Sequence, residues 1–276
     1  MKITLPGKEI ASLSWGAAVG RRCEGGGFAA FFDEEGNVFN ELTLSDEAEF
    51  VSCEESVCAI YYENKIMITS KGSPLMEFEV EVVPTWITLS SDKIYITHDE
   101  GVVAYGMDGK KAWRCLCGPT KGAATVKRRL YVGSPSFLLV LDKETGKVLD
   151  QIELGSGEWR VASSCSSSVL VVNDVESKAV ALLVIKELGE PEVLGEVSGV
   201  VGTPSLSPDC LYVAAPGCGY DVYDVNGNLL SSKRLEGATD ECFGVQTHWG
   251  EKLLAGVFDE GLTTSYILID EFPTSK

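Results

Sequence analysis

The sequence predicts an all-β fold, a seven-bladed β-propeller closed by its N-terminal strand. Three observations predict it. Turn glycines follow strand-like runs at Gly36, Gly72, Gly109, Gly146, Gly189 and Gly227, spaced by 36, 37, 37, 43 and 38 residues. An apolar trio opening a strand recurs at nearly the same period, out of phase, from Ala59, Ile94, Leu130, Leu170, Leu211 and Leu253. Two markers in step at this period indicate a repeat architecture. Finally, the last repeat stops at Lys276 one strand short, while Met1 to Leu5 (MKITL) forms a spare strand. Pairing the spare strand into the last unit closes a ring and hides two sheet edges.

The repeats divide one domain, 1–276, into units near residues 10–44, 47–80, 83–116, 120–154, 159–197, 199–236 and 239–271, with strand 1–5 completing the last. Each reads as four short strands. In the fourth unit, residues 123–126, 130–133, 137–141 and 147–154 are β-branched or apolar runs bounded by Gly, Asp, Ser and Pro. Helical i, i+3, i+4 spacing is sustained nowhere. The first unit is the weakest, because residues 21–27 (RRCEGGG) make a poor second strand. Six blades with an irregular entry is the alternative.

The chain has 276 residues, 45% of them hydrophobic, enough for a large core. No apolar run has the length of a signal peptide core or a membrane span. The expected location is the cytoplasm. The formal net charge is −18, which disfavours nucleic-acid and anionic-membrane partners. Lys127, Arg128 and Arg129 read as an exposed hairpin turn. The nine cysteines include no CxxC pair, so a four-cysteine zinc site has no support. Reduced thiols are expected, although Cys53 and Cys58 flank a short turn and could bridge it.

Leu130 to Ser134 (LYVGS), then Phe137 to Leu149 (FLLVLDKETGKVL), resemble the pyrroloquinoline-quinone-type repeat of the quinoprotein-like β-propellers, a family WD40-like in architecture. Gly109 to Trp113 and Leu211 to Val213 with Asp224 to Gly227 match parts of the same pattern. The resemblance covers about five of the seven units and implies the fold and a scaffolding role. Asp150 stands where the family carries Trp, and only Trp113 keeps that position. The quinone-binding cysteine pair of the family's dehydrogenases is missing, so no cofactor is implied. The Gly-His and Trp-Asp signatures of WD40 repeats are absent.

Catalytic constellations are not legible. The two histidines, His98 and His248, read as surface or turn residues without a partner at metal-ligand spacing. Trp15, Trp86 and Trp159 fall on inner strands, where they would pack between blades. The loops joining second to third strands, and fourth strands to the next unit, hold many acids and almost no bases. They include Asp99, Glu100, Asp174, Glu176, Asp240, Glu241, Asp259 and Glu260. The expected function is a non-catalytic scaffold that docks a basic protein or peptide on this acidic face. The alternative is a calcium-dependent, lactonase-like hydrolase with carboxylates at the channel mouth, Asn173 being its best-placed amide.

Overall fold

The computed structural model describes residues 1–174, 179–186, 192–198 and 202–271. The regular elements among them are strands. The first sheet runs β2 (Lys8–Ser14), β3 (Ala17–Arg22), β4 (Gly27–Phe32) and β5 (Val38–Leu44) from the axis outward. The second is β6 (Ala48–Glu54), β7 (Val57–Tyr62), β8 (Lys65–Ser70) and β9 (Ser73–Glu79). The third is β10 (Trp86–Ser90), β11 (Lys93–His98), β12 (Gly101–Gly106) and β13 (Lys111–Leu116). All are antiparallel meanders whose two middle strands are buried on both faces, as in Phe28 to Phe32 and Ile94 to His98.

The expected count of seven blades is corrected here. The described strands hydrogen-bond into six sheets. The fourth and fifth sequence units share one six-stranded sheet: β14 (Lys121–Val126), β15 (Arg129–Asp142), β16 (Val148–Ser164), β17 (Ser168–Asp174), β18 (Ala179–Lys186) and β19 (Glu192–Ser198). Its strand β15 takes in both runs read as separate strands, and β16 takes in the outer strand of one unit and the inner strand of the next. The links at 134–136 and 155–158 make the merger, because they bridge each other with Pro135 opposite Glu158. An apolar cluster with Ala124, Tyr131 and Val140 facing Val161, Val169 and Val171 fills the space between the two parts of this sheet. Six was the alternative count, yet its irregular entry is not where the irregularity lies. The first sheet is a regular four-stranded meander.

The fifth sheet is β20 (Ser205–Leu206), β21 (Tyr212–Gly217), β22 (Gly219–Asp224) and β23 (Leu229–Arg234). The last is β24 (Cys242–Trp249), β25 (Leu253–Asp259), β26 (Thr264–Asp270) and, outermost, β1 (Lys2–Pro6). The spare N-terminal strand therefore lies where the sequence puts it, antiparallel to β26 with Lys2 opposite Leu268 and Pro6 opposite Thr264. Its alternation buries Ile3 and Leu5 in a cluster with Leu13, Phe28, Leu254 and Ile267 that joins first and last sheets. Each such side chain contributes roughly 2 kcal/mol.

The periodic glycines have a steric reason. Gly109 and Gly146 have φ of 75° and 69°, a region that suits glycine. A Cβ on Gly146 would meet the Trp113 ring at 2.4 Å, and one on Gly109 the Phe78 ring at 3.0 Å. Each turn thus docks on an aromatic of the preceding sheet's outer strand. Trp113 Nε1 also donates to the Lys143 carbonyl at 3.1 Å.

A belt of hydroxyl and amide side chains links the inner strands. Cys53 N donates to Ser14 Oγ at 2.9 Å, and Leu89 N to Ser52 Oγ at 2.9 Å. Thr88 Oγ1 donates to the Ala123 carbonyl at 2.7 Å, and Ser164 Oγ to that of Thr125 at 3.2 Å. Leu206 N donates to Ser163 Oγ at 2.8 Å, and Ser205 Oγ to Thr247 Oγ1 at 3.0 Å. Leu13 N closes the circuit on Gln246 Oε1 at 3.1 Å. Buried polar groups need such partners, and here the partner is always on the next inner strand.

Candidate functional site

The inner strands enclose an axial cavity of about 200 Å³. Ser14, Ser52, Thr88, Thr125, Ser163 and Thr247 face it with Trp86, Gln246, His248 and Trp249. Most of these hydroxyls are engaged in the belt. No carboxylate is among the described residues that line it. Among the described residues, no group of three or more His, Cys, Asp or Glu could hold a metal ion. The converging carboxylates that a calcium-dependent hydrolase requires are not found there.

The histidines are not surface residues. His98 is only 4% exposed. Its Nδ1 accepts the Glu100 amide at 3.2 Å, and its Nε2 is enclosed without a partner. Burial, then the Arg114 charge, lowers its pKa against the opposing pull of Glu100 and Asp99. His248 is half-buried at the channel wall with its Nδ1 unpartnered. Burial lowers its pKa to about 4, so the ring is neutral at pH 7. Trp159 is buried, with Nε1 donating to the Gly155 carbonyl. Trp86 stands edge-on to Phe50 of the neighbouring sheet at 5.8 Å.

The acids lie on loops that join second to third strands or an outer strand to the next sheet. The hairpin between β11 and β12 presents Asp99 and Glu100, both exposed. Glu100 is neutralised by Arg114 at 2.6 Å. Glu158 pairs with Lys121, and Glu63 with Lys65 at 3.7 Å. These bases sit on strands, Lys65 and Lys121 at the first position of theirs, outside the acidic loops. Asp240 and Glu241 are exposed ahead of β24, and Glu260 is exposed beside them, its amide donating to the Glu241 carbonyl.

Asp259 is fully buried. It accepts Thr239 Oγ1 at 2.6 Å, Thr239 N at 2.9 Å and Leu262 N at 3.2 Å. Burial raises its pKa, but these bonds outweigh that and hold it below the usual range. Asp259 ties two loops together and leaves the rim to its neighbours. Asp174 closes β17, and Glu176 lies outside the described residues. Glu49 shows the rim's charge crowding: desolvation, then Glu47 and Asp46, raise its pKa.

The cysteines depart from the expected reduced state. Disulfides join Cys53 to Cys58, Cys165 to Cys210, and Cys218 to Cys242. Cys23, Cys115 and Cys117 are free, and burial, with Cys115 beside it, pushes the Cys117 thiol up to about 12. The belt was also missed. Its signal is a third period, Ser14, Ser52, Thr88, Thr125, Ser163, Ser205 and Thr247, spaced by 38, 36, 37, 38, 42 and 42 residues.

No protein-family model matches the sequence, and no curated protein matches it. Solved structures do match in shape. The Cps50 (Swd1) β-propeller domain of Myceliophteria thermophila superposes with a TM-score of 0.72 at 13% identity, covering 97% of this chain and 99% of that one. The WD40 β-propeller domain of Doa1 gives 0.70 at 11% identity, covering 99% and 97%. The fold is a β-propeller. BamB from Moraxella catarrhalis gives 0.62 at 14% identity over 97% and 98%. At these identities the likeness establishes the fold. It gives no separate support for the quinone-type repeat over other propellers, since WD40 and BamB rings both match.

Proposed function

We propose that this propeller is a non-catalytic protein-interaction scaffold that docks a basic protein or peptide on its acidic loop rim. The observation that supports this reading is the exposure of the carboxylates Asp99, Asp240, Glu241 and Glu260 on loops that join second to third strands or an outer strand to the next sheet. None of the four has an ion pair among the described residues. Charge in this arrangement speeds encounter and fixes orientation more than it adds affinity. The propeller neighbours Cps50 (Swd1) and Doa1 support a scaffold in general terms and say nothing of the partner.

Reversal of Asp99, Asp240, Glu241 and Glu260 to lysine tests the reading. In captures from native extract, the partner retained by the wild type at low salt has a high pI and is lost by the reversed variant. An equal partner set for both proteins refutes the rim. Cytoplasmic location is likewise a proposal, and three disulfides constrain it. They call for an oxidising compartment or a cytoplasm that tolerates such bonds. Thiol counting on protein alkylated in the native cell distinguishes three free cysteines from nine.

A further inference from the structure

A second cavity lies elsewhere. A pocket of about 550 Å³ opens between the first and second sheets. Turns joining inner to second strands and third to outer strands line it, so it opens on the face opposite the acidic rim. Its walls are Trp15, Phe31 and Phe39. The Phe31 and Phe39 rings stand 6.5 Å apart; Phe31 is buried, and Phe39 is 54% exposed. One wall is fixed by Asn40 Nδ2 donating to the Gly72 carbonyl at 2.7 Å. The other is the hairpin clamped by the Cys53–Cys58 disulfide, whose tip carries Glu55 and Ser56.

Carboxylates rim this aromatic pocket. Asp33 is occupied by Asn37, accepting its amide at 2.7 Å and its side chain at 3.0 Å. Glu34, Glu35 and Glu55 are exposed and make no side-chain hydrogen bond or ion pair among the described residues. Lys71 is the one base among the described residues that line the pocket. Aromatic faces attract cations, and a guanidinium stacks on them while its edge meets carboxylates. An aromatic floor under an acidic rim therefore favours a cationic side chain with an apolar neighbour.

We propose that this pocket binds a peptide segment of a partner protein in which an arginine flanks an aromatic residue. The aromatic enters between Phe39 and Trp15, and the arginine reaches Glu35 and Glu55. This site is separate from the acidic rim, and the two readings fail independently. The probe is the peptide acetyl-Gly-Arg-Phe-Arg-Gly-amide, with acetyl-Gly-Glu-Phe-Glu-Gly-amide as control. Binding is read from the Trp15 indole resonance, assigned through Trp15→Phe. The basic peptide shifts that resonance and the amides near Glu35 and Glu55, and the acidic peptide does not.

Glu35→Lys with Glu55→Lys, both at exposed positions, weakens the basic peptide at least tenfold, whereas Lys71→Glu strengthens it several-fold. Equal binding of both peptides overturns the proposal, as does indifference to the reversals or a response confined to channel tryptophans. Sedimentation supplies the last arm. A concentration-dependent dimer that Phe39→Glu abolishes would assign the pocket to a second copy of the chain and overturn the proposal equally.

Discussion

The ring holds its two halves together differently. Around the first three sheets, neighbours meet through large apolar clusters, such as Ile60, Tyr62 and Met67 against Ala17, Val19 and Phe31, and belt hydroxyls add to them. Their one disulfide, Cys53–Cys58, lies within a hairpin. The later half has a weak inner strand. The two residues of β20 pair with β21 only at Ser205 and Leu206. That strand is held from its sides by Trp249 Nε1 on the Ser205 carbonyl, by Thr203 N on the Val245 carbonyl, and by covalent links. Cys165–Cys210 ties the end of β16 to the fifth sheet, and Cys218–Cys242 ties that sheet to β24. Cross-links sit where the ladder is shortest.

The largest expected effect follows from that contrast. Cys165 and Cys210 are 45 residues apart, and the loop-entropy relation gives about 4 kcal/mol for replacing both with serine. Cys53 and Cys58 are only 5 apart, which gives about 2 kcal/mol. Chemical denaturation of the two double variants checks the order, and an equal or reversed order would break the comparison.

The histidines sharpen it next. His248 in the later half has its folded pKa lowered from 6.5 to about 4. The unfolded chain thus takes up the proton first. Stability is intact above pH 6.5, falls as pH drops through 6.5, and stops falling near pH 4. The loss is of the order of 1–3 kcal/mol. Denaturant midpoints between pH 7.5 and 4 report it, and His248→Asn removes most of the slope. A slope carried instead by His98 would move the weak point to the earlier half.

The last effect, of similar size but confined to one contact, is at the seam. Gln246, 7% exposed, accepts from Leu13 N and Ser12 Oγ across the closure between last and first sheets. Gln246→Ala strands the Leu13 amide and costs about 1–3 kcal/mol. Amide exchange at Leu13 rises in that variant while exchange at Leu89, whose partner is Ser52, does not.

Local chemistry was legible. Glycine turns, apolar trios and the spare strand each report a preference of a few neighbouring residues, and they located the repeats and the closing partner of β26. Cross-sheet geometry was not. Nothing in Ser134, Pro135 and Ser136 says that they bridge toward Glu158, so the two units they separate read as independent. Cys53–Cys58 bridges the hairpin that the sequence offered, but Cys165–Cys210 and Cys218–Cys242 join separate sheets, a distance that sequence spacing does not encode. Charge was half legible. The loops are acidic as read, but Arg114 and Lys121, on neighbouring strands, reach Glu100 and Glu158. Buried Asp259 shows that a loop acid can belong to the loop's own scaffolding.

Zero-length carbodiimide coupling of the native complex bears most directly on the rim, because it joins a carboxylate only to a lysine in contact with it. The coupled peptides are expected to contain Asp99, Asp240, Glu241 or Glu260, joined to lysines of a basic partner. Links found only at Glu34, Glu35 or Glu55, or at none of these acids, would contradict a rim that receives the partner.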